Sequence, residues 1–240
     1  MKTEDLFRED ATLLACDATV TAQGEGGVLL DRTVCYPVGG GQAGDTGWLV
    51  AGEQRWRVTD TRKSKGHPEA IVHLIEGELP AVGSAVRVEV DAARRQAHRR
   101  FHTATHLLCA LLPYPVDGCS ITETYARLDF HTDEPFDKEA IQAGLDRLVA
   151  EAHPVGHRWI TEDELDANPG LVRSMSVQPP RGLGRIRVLE VQGVDLQPCG
   201  GTHVGNTAEI GAVVVTKIEK KSAKTRRVVL GFAESATGRS

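Results

Sequence analysis

The chain reads as an α+β protein: an N-terminal small β-barrel domain over residues 1–90, then a domain over residues 91–240 whose helices pack on an antiparallel sheet. Three observations predict this. Short apolar, β-branched runs separated by glycine and proline turns fill the stretch before residue 90, with no helical period among them. One helix-length segment then starts at Asp91 or Ala92 and is stopped by Pro113-Tyr114-Pro115. Beyond it, strand-like and helix-like patterns alternate, which is the signature of helices laid on a sheet.

In order, the predicted barrel strands are Thr12–Val20, Gly27–Cys35, Gly47–Ala51, Trp56–Asp60, Ala70–Ile75 and Ala85–Val90. Gly24, Gly26, Gly27, the run Gly39 to Gly41, Lys65-Gly66-His67-Pro68 and Pro80 punctuate them. In the helix that follows, Leu107, Leu108, Leu111 and Leu112 supply an apolar stripe. Ser120–Phe130 reads as one strand and Asp137–Ala152 as an amphipathic helix with Ile141, Leu145, Leu148 and Val149 on one side. Val155–Ile160 reads as a strand. Thr161 with Glu164 has the capping-box spacing that opens a short helix, and Asn168-Pro169-Gly170 stops it. Arg185–Val191 is a further strand, and Ala212–Glu219 with Arg226–Phe232 reads as a closing hairpin whose basic tip is Lys220–Thr225. No internal repeat or heptad segment is present.

The 240 residues are enough to bury a core, and 40% hydrophobic with 25% charged residues is an ordinary globular composition. No apolar run is long enough to span a bilayer, and Met1–Asp10 is not a charged-then-apolar leader, which predicts a cytoplasmic protein without membrane contact. Five cysteines without framework spacing read as reduced thiols, with Cys199 the exception because of its context. A net charge of −5 argues against charge-driven binding over the whole surface, and against DNA as a partner. The basic residues are nevertheless bunched: Arg94, Arg95, Arg99 and Arg100; Arg181, Arg185 and Arg187; and Lys217, Lys220, Lys221, Lys224, Arg226 and Arg227. Such clusters predict a local rim for phosphates.

Two stretches carry the chemistry. His102 and His106 lie four apart on the predicted helix, so both imidazoles can reach one ion. About a hundred residues later Cys199-Gly200-Gly201-Thr202-His203 offers a thiolate and an imidazole across a flexible turn. Two histidines, a cysteine and a further histidine make the ligand quota that zinc prefers. A pair of helix histidines satisfied by hydrogen bonds is the plainer reading of His102 and His106 alone. The second stretch weighs against it, because the two pairs together complete a tetrahedron. His98 is also four residues before His102, but a triple of His98, His102 and His106 spreads too far along an ideal helix for one ion, ~6 Å per step. A contact to RNA or a proton-shuttling role suits His98 better. A filled tetrahedron is the mark of a structural site, so a catalytic role requires an exchangeable position.

His102-Thr103-Ala104-Thr105-His106-Leu107-Leu108 and Cys199-Gly200-Gly201-Thr202-His203-Val204 resemble the two signatures of the editing domain of alanyl-tRNA synthetases and their free-standing relatives, the AlaX-type alanyl-tRNA editing proteins. Three further stretches agree in order. Arg32 to Gln42 with Asp45-Thr46-Gly47 is similar to the family's glycine motif, departing from it at Cys35 and Val38. Gly118 through Phe130 is similar to the strand between the metal pairs, and Glu209 through Arg227 to the closing hairpin.

The resemblance implies a trans-editing deacylase that hydrolyses the ester of Ser-tRNA(Ala), with Gly-tRNA(Ala) a second candidate substrate. In it His102, His106, Cys199 and His203 hold zinc, and Thr33 and Gln42 are the catalytic-pocket residues facing the amino acid. Gly39, Gly40, Gly41 and Arg127 bind substrate. Thr33 suits that role because a hydroxyl donates and accepts, pairing a seryl hydroxyl that would otherwise be buried alone. The partner is tRNA(Ala) mischarged with serine, and a monomer is expected. Two alternatives stay open: a deacylase of seryl-tRNA(Thr), and a non-catalytic tRNA-binding module in which zinc is structural. No segment resembles an ATP-binding or aminoacylation domain, so charging activity is not expected.

Overall fold

The structure is a computed structural model that describes residues 2–67, 69–175, 182 and 184–233. Pro68 and Arg181, singled out above, lie outside the described residues. The strands are β1 (Glu4–Asp5), β2 (Ala15–Gly24), β3 (Gly27–Leu30), β4 (Arg32–Thr33), β5 (Gly47–Ala51), β6 (Gln54–Lys63), β7 (Ile71–Ile75), β8 (Ala85–Val90), β9 (Val116–Ile121), β10 (Ala126–His131), β11 (Val155–Thr161), β12 (Arg185–Val191), β13 (Asp195–Pro198), β14 (Val213–Ser222) and β15 (Thr225–Phe232). The α-helices are α1 (Ala92–Leu111), α2 (Lys138–Ala150) and α3 (Glu162–Ala167). No helix among the described residues is long and apolar enough to cross a membrane.

The chain divides into two compact units, one of residues 1–39 and 43–96, the other of residues 40–42 and 97–240. The dividing point falls within α1, and the three residues Gly40–Gln42 group with the second unit although barrel segments flank them in sequence.

In the first unit the strands close into a barrel in the order β2-β3-β7-β6-β5-β8, antiparallel throughout. Closure leaves no unpaired edge. The alternating pattern supplies the interior, where Val20, Val28, Leu30, Leu49, Val58 and Val88 are buried. The predicted α+β class with an N-terminal barrel is what forms, and β5 and β8 have their predicted ends. The predicted strand Gly27–Cys35 breaks into β3 and the two-residue β4, which pairs in parallel with β1. Within the same unit, the Arg95 guanidinium is buried against the Asp45 carboxylate and also donates to the carbonyl of Ala11.

The second unit holds two sheets, β14-β15-β10-β9 and β11-β12-β13. Its core gathers Phe101, Ala104, Leu107 and Leu108 of α1 with Leu128, Phe130, Leu145 and Leu230. Residues 101–109 of α1 are buried on every side, so this helix is a central one and not the one-faced helix that its leucines suggested. The run Ser120–Phe130 is a correction. It comprises the end of β9, a turn at residues 122–125 and most of β10, because the Thr122 hydroxyl takes the backbone N–H groups of Thr124 and Tyr125 out of any ladder. The Asp137 carboxylate caps α2 by accepting from the backbone of Glu139 and Ala140. The capping box of Thr161 and Glu164 forms as its spacing predicts.

Candidate metal centre

Four side chains of the second unit converge: one ligand atom each from His102, His106, Cys199 and His203, all within 4.8 Å of one another. Helix α1 carries the first two a turn apart. The other two arrive through the β12–β13 hairpin, after which the chain turns at Cys199, whose N–H donates to the Arg187 carbonyl at 3.1 Å. The Arg187 guanidinium, 7% exposed, donates to the carbonyls of Cys199 and Gly201 and so pins the turn. Gly201 is required there. A Cβ on it would lie 2.1 Å from His102 Cε1 and 2.3 Å from His102 Nδ1.

Each imidazole has its Nδ1 engaged outside the cluster. His102 Nδ1 donates to Gln42 Oε1 at 2.8 Å. His106 Nδ1 donates to the Asp195 carboxylate at 2.8 Å. His203 Nδ1 meets Thr103 Oγ1 at 3.2 Å, and that hydroxyl donates to the Arg99 carbonyl, leaving it to accept from the ring. In the neutral form of each ring, with the proton on Nδ1, Nε2 keeps its lone pair. The Cys199 sulfur lies 3.5 Å from His102 Nε2 and 3.2 Å from His203 Nε2.

The electrostatics separate Cys199 from the other thiols. Burial pushes Cys35, Cys109 and Cys119 up to about 12. Burial acts the same way on Cys199, but the imidazoles of His102 and His203 outweigh it and hold its pKa well below the ordinary thiol value. For His106 burial opposes protonation, yet Asp195 and Cys199 raise its pKa to about 10. Burial holds His203 well below the ordinary imidazole value. A thiolate-prone sulfur with three imidazole nitrogens is a donor set that fits a borderline-soft divalent ion such as zinc.

Gln42 is fully buried and both its amide ends are used, Oε1 on His102 and the Thr202 N–H, Nε2 on the Thr202 hydroxyl. Gly41 precedes it at φ 84°, where a Cβ would meet the Cys119 sulfur at 2.8 Å, and its carbonyl accepts from the Ile121 N–H. Gly40 also has a positive φ, 58°. Gly39, in the first unit, accepts through its carbonyl from the Tyr36 hydroxyl at 2.8 Å. Thr33 is buried in the first unit, its hydroxyl 2.7 Å from His73 Nε2 and accepting from the Cys35 N–H. Arg127 on β10 donates to Asp129, which also binds Arg227 through two bonds. His98 is fully buried, its Nε2 4.0 Å from the Glu123 carboxylate.

The predicted phosphate rim is narrower than the clusters suggested. Arg95, Arg187 and Arg226 are buried, while Arg94, Arg99 and Arg100 donate to backbone carbonyls of Gly44, His203 and Ile210. Arg185, Lys217, Lys220, Lys221 and Lys224 remain exposed. Asp195, Thr103 and Thr202 were missed by the sequence reading. A signal existed for Asp195: it and Gln197 are the buried positions of β13, polar where an apolar side chain is the rule.

Comparison with known proteins bears on this arrangement. The family described as "Threonyl and Alanyl tRNA synthetase second additional domain" matches residues 186–229, which include Cys199 and His203. An alanyl-tRNA editing protein AlaX-M of Methanosarcina mazei is 31% identical over 252 residues, covering 98% of this chain and 99% of the relative. The chain belongs to the alanyl-tRNA editing protein family. A second AlaX-M, from Methanosarcina barkeri, is 31% identical over 240 residues, covering 94% and 97% of the two chains. The alanine–tRNA ligase of Metallosphaera sedula is 33% identical over 228 residues, 91% of this chain but 25% of the ligase, so the chain spans about a quarter of such ligases. Residues 9–94 match the family described as "tRNA synthetases class II (A)". That match falls on the barrel.

Proposed function

We propose that the chain is a trans-editing deacylase of the alanyl-tRNA system, which hydrolyses the ester joining a wrong amino acid, serine first and glycine second, to tRNA(Ala). The reading is carried by one observation, the convergence of His102, His106, Cys199 and His203 on a point where three Nε2 atoms and one sulfur face each other. Their donor chemistry supports zinc as the bound ion. A zinc ion held there would supply Lewis acidity, activating water and polarising an ester carbonyl.

The chain's own groups do the rest. Gln42 acts through His102 by fixing that ring's orientation, and Arg187 holds the turn that carries Cys199. Gly40 and Gly41 keep the Gln42 segment against β9. Thr33, as the resemblance implies, selects the amino acid through its hydroxyl, and the exposed lysines of the β14–β15 hairpin with Arg185 take tRNA phosphates. Arg127, with Asp129 and Arg227, is proposed to contact substrate from β10.

The test is deacylation of Ser-tRNA(Ala) against Ala-tRNA(Ala), with and without a zinc chelator. The expected result is chelator-sensitive release of serine with correctly charged tRNA spared. Equal rates on both substrates would remove the proofreading role. A second reading, removal of serine from tRNA(Thr), is favoured by the family description that names both synthetases. Ser-tRNA(Thr) as the preferred substrate in the same assay would support it. A folded, metal-loaded protein without turnover would support a binding module.

A further inference from the structure

The three imidazoles of the cluster differ in what stands behind them. His102 rests on a neutral amide and His203 on a hydroxyl at 3.2 Å, whereas His106 rests on a carboxylate at 2.8 Å. The Asp195 side chain is fully buried, and Gln197 Nε2 donates to both its oxygens, at 2.9 and 3.0 Å, which fixes the carboxylate plane. A carboxylate accepts only, so the His106 proton is confined to Nδ1 and Nε2 is left as the ligating atom. The negative charge behind the ring makes that Nε2 a stronger donor than an amide or a hydroxyl can.

Charge balance points the same way. A buried carboxylate needs a compensating charge. A divalent cation held by one thiolate and three neutral imidazoles keeps one positive charge in excess, and Asp195 offsets it.

We propose that Asp195 is a positioning residue that makes His106 the anchoring ligand of the cluster, so that metal retention depends on its charge and not only on its hydrogen bond. This rests on the reading of the four residues as a metal site. Asp195→Asn is the decisive variant, because the amide oxygen can still accept from His106 Nδ1 while the charge is gone. Thr103→Val, behind His203, is the comparator.

Zinc affinity of the full chain is measured by competition with a chromogenic chelator, alongside the Tm of the metal-free proteins. The expected result is a loss of zinc affinity of roughly 10–100-fold for Asp195→Asn and a smaller loss for Thr103→Val, with a cooperative melt of each metal-free protein showing that it folds. Affinity of Asp195→Asn within about threefold of the parent would overturn the proposal, since a purely structural role survives the isosteric change. Should the parent chain bind no zinc, the metal reading itself fails, which is a separate outcome. If Asp195→Asn does not fold, 15N–1H spectra of the zinc-loaded parent decide the matter. A His106 Nδ1–H resonance protected from exchange supports the proposal, and its absence overturns it.

Discussion

Gly201→Ala is the sharpest probe of the cluster geometry. The added methyl would sit 2.1 Å from His102 Cε1, 2.3 Å from His102 Nδ1 and 3.0 Å from Gln42 Oε1. Carbon atoms in contact need about 3.5–4.0 Å, so the ring or the turn must move by more than about 1 Å. Either movement breaks the bond from His102 Nδ1 to Gln42, worth about 1 kcal/mol. Overpacking of a tight site adds about 1–3 kcal/mol. The sum, about 2–4 kcal/mol, is read as a lowered urea midpoint at unchanged slope. Zinc affinity should fall with it, because the displaced ring no longer aims Nε2 at the cluster. Gly156→Ala is the control: on β11 nothing lies within 4 Å of its Cβ position, and the change should be neutral or stabilise by roughly 0.4–1 kcal/mol. A Gly201→Ala protein with the parent's midpoint and zinc affinity would refute the close approach of turn and helix on which the site depends.

Removing a partner from the buried Arg95–Asp45 pair by Arg95→Met should cost about 3–5 kcal/mol in chemical denaturation, since the buried Asp45 carboxylate loses the guanidinium packed against it. Thr33→Val removes the hydroxyl that meets His73 Nε2 and the Cys35 N–H. It should cost about 1–3 kcal/mol of stability, and lower the preference for seryl over alanyl ester in a deacylation assay. Burial holds the His73 pKa down to about 4 against an ordinary value of 6.5, so the unfolded chain binds a proton the folded one refuses. Stability should therefore fall as pH drops from 6.5 to 4, by about 3 kcal/mol, and His73→Asn should flatten that part of the Tm profile. His106 has the opposite sign in the chelated protein. Burial opposes its charge, but Asp195 and Cys199 raise its pKa to about 10. Its contribution is present below pH 6.5 and lost between 6.5 and 10, where the chelated protein's Tm should decline.

What the sequence made legible was periodic or punctuated. The strands β5, β8 and β12 keep their predicted ends because glycines or a sharp change of polarity bound them, and the Thr161 cap needs only its own four residues. The four converging side chains were legible because the donor set that zinc prefers draws on few residue types and α1 fixes the spacing of two of them. The β9–β10 turn was not, because Thr122 through Tyr125 read as strand formers until the Thr122 hydroxyl is seen to intercept two backbone N–H groups. Charge clusters misled for a related reason. Arg95, Arg187 and Arg226 sit among other basic residues in sequence, yet each is spent on a carbonyl or carboxylate inside the fold. A guanidinium offers five donors, and composition alone does not tell whether they meet phosphate or backbone. Asp195 is the instructive omission. No rule of spacing ties it to His106, 89 residues away, but two polar residues at the inward positions of a four-residue strand leave a site without apolar filling. Such a gap has to be closed by paired polar groups, and a histidine that must present Nε2 to an ion needs an acceptor behind it. The candidate ligands can be read from the chain because chemistry restricts them, whereas their supports emerge only when the two stretches have met.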